Sequence, residues 1–424
     1  MAYVDDVSPA PVPPADLLGL LGVWREGLSL SRRLVQRWPE GAPAGPYDVI
    51  ALGKAAPAMV EALGEVGVGV RRQIVITTAE ARRADSQDIV GDHPVPGAAS
   101  EAAARALDEF LREGEAAVPT LVLLSGGASA LVVDVVDPVS LSDLHELWDA
   151  ALRTGVDITT LNRLRASASN LGGGMLARRV RSADSVVAVM VDNPVSGPRW
   201  VASGPFTDFA PSRAELDGLF EAVALSPRAR GVFRRAAAQR AQRLRSQEPT
   251  RTRLITLAEP ADVLHSVRDE AIRLGYAVHD LGAGLVENVE VFAGRVGALL
   301  ASASGPTVVL GVGELAVRVS GPGQGGRCQE FALRCAAWLD EASLRSAVVG
   351  AVATDGRDHV SGVAGAWVSA SIAGEAREAG LSLVDYLARS DSGTLLARLG
   401  RHFAGSLTGW NLCDLYLGLV HPRD

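Results

Sequence analysis

This sequence predicts an α/β architecture with largely parallel sheets, on three observations. Short β-branched runs alternate with amphipathic helical stretches along almost the whole chain, the pattern of strands joined by crossover helices. The 424 residues are 48% hydrophobic, enough for two or three domains with cores of their own. Glycine is abundant at 45 residues while aromatics make up only 5%, which suits many tight strand-helix turns.

In chain order, an apolar run predicts a strand over 48–53, and helical spacing after Pro57 predicts a helix over 57–65. A strand over 73–78, a helix over 101–113 and a strand over 120–125 follow. Apolar residues at three- and four-residue spacing predict helices over 142–153 and 162–181, before a strand over 185–192. Arginines among alanines over 228–245 read as a solvated helix face. The polar stretch 246–252, with Pro249, is the best domain boundary, giving domains 1–245 and 246–424. Beyond it come a strand over 253–258, helices over 261–274 and 287–303, and a strand over 307–313. Residues 315–320 look like a hairpin arm feeding the glycine-rich 321–326. A helix over 328–342, a strand over 347–354, a helix over 362–379 and a strand over 415–420 complete the series.

Composition removes several functional classes. A net charge of −8 offers no basic footprint for nucleic acid. The three cysteines form no CxxC pair and leave an odd count, so a reduced, cytoplasmic protein is expected. The N-terminus lacks the basic-then-apolar order of a signal peptide. No apolar run approaches the ~20 residues of a membrane helix.

Open parallel sheets bind ligands beyond the carboxyl ends of their strands, so the unusual strand ends are the candidate sites. Lys54 is the sole lysine; the other 40 of the 41 basic residues are arginine. It follows an apolar strand and Gly53, where a compact ammonium can approach one oxygen closely and a guanidinium cannot. After the strand 120–125, Ser125-Gly126-Gly127-Ala128-Ser129 presents backbone amides beside a helix start, able to cradle an oxyanion or phosphate. Asp192 ends a third strand and could hold Mg²⁺ or take a proton from a hydroxyl, though a capping aspartate is the commoner reading. Gly321-Pro322-Gly323-Gln324-Gly325-Gly326-Arg327 places a forked cation beside free amides, suiting an anion. Asp355 and Asp358, three apart after the strand 347–354, could share a metal or pair with an arginine. Neither GxxxxGK[ST] nor an early GxGxxG is present, and Ser125 lacks the GxSxG context of a hydrolase. Cations, strand-end carboxylates and two anion loops are what phosphoryl transfer requires.

In order and spacing, these motifs resemble the glycerate 2-kinase family that carries the MOFRL domain. The resemblance runs through Gly53-Lys54-Ala55-Ala56, Gly91-Asp92-His93-Pro94-Val95-Pro96, Leu124-Ser125-Gly126-Gly127-Ala128-Ser129, Ala202-Ser203-Gly204-Pro205, Gly313-Glu314, Gly325-Gly326-Arg327, Thr354-Asp355-Gly356, and Asn411 with Asp414. It implies an N-terminal Rossmann-like domain, a smaller C-terminal α/β domain and an active site in the cleft between them. It also implies ATP- and Mg²⁺-dependent phosphorylation of the 2-hydroxyl of D-glycerate, with Lys54, Asp192 and Arg327 catalytic. Ser125, Gly126, Gly127, Ala128, Ser129, Gly325, Gly326, Glu314 and Asn411 would hold the nucleotide, and Asp355 and Asp192 the metal. The partner is then a small hydroxy acid, with no nucleic acid or membrane; a homodimer is left open.

Several positions depart from the family pattern. Usual basic or imidazole residues are Ala166, Ser167 and Gly172, and a usual arginine is Met175. Two acids are lost in the stretch 191–197, where Ser196 stands, and Trp410 replaces a small residue. Lost cations weaken the grip on a small carboxylate by roughly 1.5–3 kcal/mol each. The phosphoryl-handling residues are kept better than the acceptor-binding ones. A kinase for another acceptor, such as a sugar acid or biosynthetic intermediate, and a non-catalytic ligand-binding descendant therefore stand as alternatives.

Overall fold

The computed structural model describes residues 11–192, 195, 197–341 and 344–421. Asn193, Pro194 and Ser196, within the departure at 191–197, and Ala342, the expected end of a helix, lie outside the described residues. The chain forms two compact units, one built on each of two six-stranded sheets.

The first sheet comprises β1 (Tyr47–Leu52), β2 (Val70–Thr77), β3 (Ile89–Val90), β4 (Thr120–Leu124), β5 (Asp184–Met190) and β6 (Arg251–Ala258). Its order is β3-β2-β1-β4-β5-β6 and every pairing is parallel. The chain winds outward from β1 on one side and from β4 on the other, so the order reverses between them. That is the Rossmann-like arrangement, whose switch point lies at the carboxyl ends of β1 and β4. Both strands are buried at every residue, as covering on both faces requires. On one face Ile50, Leu52, Val122 and Leu124 pack with Leu107 and Leu111 of the helix Ala98–Arg112.

Four helices of this unit, Leu141–Thr154, Ile158–Ser167, Arg213–Val223 and Pro227–Ser246, share a separate core. Phe220 and Phe233 meet edge to face within it, 6.4 Å between centroids. Ser140 and Ser212 start two of these helices with capping boxes to Asp143 and Glu215, satisfying amides that have no partner in the helix.

The second sheet comprises β7 (Ala277–Leu285), β8 (Thr307–Gly313), β9 (Ala347–Ala353), β10 (Val363–Ser369), β11 (His402–Ala404) and β12 (Asp414–Val420). Its order is β11-β10-β9-β12-β8-β7. Only β7 and β8 run parallel; the other four pairings are antiparallel. The expectation of largely parallel sheets therefore holds for the first sheet and is corrected for the second. β8, β9 and β12 are apolar and buried throughout, and a run of that kind carries no information about strand direction. Phe292, Phe331 and Tyr416 centre the core, the last two 5.1 Å apart and edge to face.

Three further expectations change. Residues 315–320 form no strand, only an isolated bridge between Asn288 and Ala316. The helix expected over 162–181 stops at Ser167 and resumes as the single turn Leu176–Arg179, with Gly173 and Gly174 at positive φ between. The helix expected over 362–379 is β10 followed by a shorter helix, Ile372–Glu378. The boundary expected at 246 precedes β6, which pairs with β5, and the first-sheet unit runs over 29–259 and includes 409–411. The helix Ala15–Gly27 belongs to the second-sheet unit, where Leu17 and Leu21 lie against Gly350.

Candidate active site

At the switch point the loops after β1 and β4 are bonded together. Lys54 N donates to Gly126 O at 2.9 Å, Ser125 N to Leu52 O at 3.0 Å, and Ala55 N to Ser125 Oγ at 3.0 Å. Gly53 has φ +123°, and a Cβ there would lie 2.3 Å from Ser125 Oγ. Only glycine permits both the conformation and the approach.

The glycines of the second loop mark where other chain segments arrive. A Cβ on Gly126 would fall 2.0 Å from Asp192 Oδ2 and 2.4 Å from Asn411 Nδ2. One on Gly127 would touch the His93 ring and Lys54 Cγ at 3.2–3.3 Å. Lys54, Ser125, Gly126, Gly127 and Asp192, taken from strand ends, are thus brought together with Asn411, which the resemblance names. The N–H groups of Gly126, Gly127, Ala128 and Ser129 make no hydrogen bond among the described residues. Four consecutive open donors, with the Lys54 side chain passing Gly127, can seat an anion.

A cavity of about 180 Å³ opens from this loop, lined by His93, Gly126, Ser129, Asn162, Arg165 and Asp192 among others. Ser203 Oγ lies 2.8 Å from Ser129 Oγ and 3.2 Å from Asn162 Oδ1, linking three chain segments through one hydroxyl. Ala202, Ser203 and Gly204 all have positive φ (58°, 59° and 66°). Two non-glycine residues held there cost of order 1–3 kcal/mol each, a strain typical of functional sites. A smaller apolar chamber of about 60 Å³, walled by Val132, Leu144, Leu147 and Leu171, shares Ser129, Trp148, Arg165 and Ala202 with the first. Gly172 and Ser203 also line it. His93, Asn162, Arg165 and Ser203 belong to the site although none is singled out by strand-end reasoning. His93 and Ser203 stand in motifs of the family resemblance, while nothing local in the sequence marks Asn162 or Arg165.

In the second-sheet unit, Arg327 opens the helix Arg327–Glu341. Its Nε donates to Asp414 Oδ2 at 2.8 Å and its Nη2 to Glu314 Oε1 at 3.0 Å. Tyr416 Oη donates to the same Asp414 oxygen at 3.0 Å. Burial pushes the Asp414 carboxyl up to about 6, although Arg327 pulls it the other way. The two carboxylates fix the guanidinium plane, and Nη1 makes no hydrogen bond among the described residues.

The glycine-rich loop before Arg327 is only in part an open cradle. Cβ atoms on Gly323, Gly325 and Gly326 would strike Asp391, Ser392 Oγ and Asp358 Oδ1 at 2.1–2.4 Å, so close packing accounts for these glycines. Asp358 accepts from Cys328 N, Gln329 N and Gln329 Nε2 at 2.9–3.1 Å and caps the helix. The helix amides are therefore occupied, and Asp358 is not available to share a metal with Asp355. The N–H groups of Gly325 and Gly326 make no hydrogen bond among the described residues. Asp355 is half-buried and accepts from Arg357 N at 3.0 Å. Among the described residues no group of three or more His, Cys, Asp or Glu could hold a metal ion. A divalent cation here would need substrate oxygens to complete its shell, the usual habit of Mg²⁺ with phosphates. No helix among the described residues is long and apolar enough to cross a membrane.

Fold and site together define a two-unit α/β protein with an anion seat and a small-molecule cavity at the switch point of a parallel sheet. Two family descriptions match it: a domain of unknown function, DUF4147, over 26–231, and the MOFRL family over 307–414. The chain is 29% identical over 390 residues to the D-glycerate 2-kinase of Thermotoga maritima, covering 88% of this chain and 90% of that one. It is 31% identical over 369 residues to a putative hydroxypyruvate reductase of Agrobacterium vitis, covering 82% and 93%. The crystal structure of a Thermotoga maritima glycerate kinase shares the fold, with TM-score 0.80 at 24% identity over 96% of this chain and 98% of that one. The chain belongs to the glycerate 2-kinase family that carries the MOFRL domain.

Proposed function

We propose that this chain is an ATP-dependent kinase that transfers the γ-phosphoryl group to the 2-hydroxyl of D-glycerate or a related hydroxy acid. The observation that carries the reading is the interlocked pair of loops at the switch point, where the sole lysine stands beside four open amides. The Lys54 ammonium neutralises charge on the moving phosphoryl group, and the amides of 126–129 receive phosphate oxygens. Asp192 takes the acceptor proton or binds Mg²⁺. In the second-sheet unit, Arg327, oriented by Asp414 and Glu314, offers Nη1 to a phosphate, Asp355 assists with Mg²⁺, and Gly325 and Gly326 add backbone donors. Asp192 and Asp355 would hold Mg²⁺ together with substrate oxygens, and the ion would supply charge neutralisation to the phosphates.

The name of the Thermotoga maritima relative supports this reading. After β1 the chain reads Gly53-Lys54-Ala55-Ala56 where a nicotinamide-dependent enzyme would carry GxGxxG, which counts against the reductase name of the Agrobacterium vitis relative. The apolar chamber beside Arg165 favours one refinement, an acid with a longer carbon chain than glycerate. Initial rates across a series of 2-hydroxy acids rank the acceptors. Lys54→Arg keeps the charge and changes its shape, and kcat should fall by about 10²-fold in a variant with the wild-type circular dichroism spectrum. Wild-type turnover in that variant would remove Lys54 from the mechanism.

A further inference from the structure

Asn162 and Arg165 stand three residues apart on the helix Ile158–Ser167, the spacing that sets side chains on one face. Both line the cavity of about 180 Å³. The Arg165 guanidinium, which has five N–H donors, makes no hydrogen bond and no ion pair among the described residues. Its close neighbour is the indole of Trp148, 4.9 Å from the ring centroid. Burial pushes it down to about 10, and no carboxylate offsets the effect.

Arg240 in the same unit shows the contrast. It is fully buried and directs its donors to the carbonyls of Ser169, Phe209, Gly172 and Gly173. A buried arginine that shapes the backbone is bonded in that way. Arg165 is part-buried, lines the cavity and has no protein acceptor among the described residues, which leaves its donors open to a ligand's oxygens.

We infer that Arg165 is the carboxylate anchor of the acceptor pocket, taking the acid's two oxygens on its planar fork while Trp148 backs the guanidinium. A forked donor suits a planar carboxylate. A cavity of about 180 Å³ suits a small acid. Asn162 and Ser129 line the same cavity and add neutral donors for hydroxyls. The anchor explains how a carboxylate is held although the family's cations at 166, 167 and 172 are absent. The identity of the acid rests on the kinase reading; the presence of an anion site does not.

The test uses full-length Arg165→Gln and Arg165→Lys with D-glycerate as probe. Arg165→Gln should raise KM for D-glycerate about 10- to 100-fold and leave KM for ATP within about twofold, with Arg165→Lys in between. Calorimetry should show the same loss of D-glycerate affinity without nucleotide. Because the charge is unmatched in the free protein, Tm of Arg165→Gln should equal or exceed wild type. An unchanged D-glycerate KM, a rise in KM for ATP alone, or a lowered Tm with both constants moving together would each overturn the inference. If wild type phosphorylates no hydroxy acid, the kinase reading fails, yet D-glycerate binding abolished by Arg165→Gln would still uphold the anchor. Equal binding to both proteins would sink it.

Discussion

Gly126 carries more of the site than its lack of a side chain suggests. Asp192 Oδ2 and Asn411 Nδ2 occupy the space that a Cβ would fill. Gly126→Ala therefore displaces both groups, and kcat/KM for phosphoryl transfer is expected to fall at least ~100-fold, the cost of misplacing reacting groups by about 1 Å. Far-ultraviolet circular dichroism should stay unchanged, and activity within tenfold of wild type would mean that neither Asp192 nor Asn411 needs its position. From the sequence, Gly126 is legible only as part of a turn that could cradle an anion. That it admits one side chain from beyond β5 and another from near the C-terminus follows from topology. Arg165 illustrates the same limit in reverse. An arginine among arginines looks ordinary, and only its lack of partners in the folded chain singles it out.

At the scale of elements, the segment after the helix Ile158–Ser167 shows how a buried charge shapes a site. Three consecutive glycines, 172 to 174, cost a helix about 1 kcal/mol each, so the break was legible in principle and outweighed by the apolar spacing around it. What the spacing does not reveal is that Arg240, on another helix, gathers the carbonyls of Ser169, Gly172 and Gly173 into a loop. Gly172 and Ser169 line the apolar chamber, so the loop forms part of the wall beside Arg165. Arg240→Met removes one donor from each of those carbonyls, leaving Ser169 O with none and Gly172 O and Gly173 O with only the 3.3 Å bonds from Met175 N and Phe209 N, and unfolding by urea should show a loss of about 3 kcal/mol or more. An unchanged midpoint would show that the loop holds without its arginine. The strand-end elements were legible for the opposite reason. A buried parallel strand followed by glycine and a lone lysine is a local signal, and β1, β4 and the loops after them stand where that signal puts them.

Across the whole molecule, the two sheets differ in how far pattern alone could predict them. Crossover helices between apolar runs announce the parallel sheet. β12 enters the second sheet from the end of the chain and pairs antiparallel with both β8 and β9, and no local pattern encodes that insertion. It also brings Asp414 to Arg327, which ties global stability to pH. The folded Asp414 carboxyl, at about 6, lies above its unfolded value near ~3.9. Folding therefore favours the protonated form: this contribution is full below the unfolded value and is lost as pH rises through about 6. It amounts to on the order of 3 kcal/mol. In Asp414→Asn, Tm should fall less than in wild type between pH 4 and 6, on the order-of-magnitude scale set by that shift. Parallel Tm curves would place the titration elsewhere. An acid limb in activity is expected as well, because protonating Asp414 removes the charge that orients Arg327, and that limb should be absent from any residual activity of the variant.

The central claim is transfer of a phosphoryl group from ATP to a secondary hydroxyl, and its product identifies it directly. Incubation of the purified chain with ATP, Mg²⁺ and D-glycerate, followed by proton-coupled ³¹P NMR, should give the doublet of a phosphate on a carbon bearing one hydrogen, with stoichiometric ADP. Inorganic phosphate alone, or the triplet of a primary phosphate ester, would contradict it.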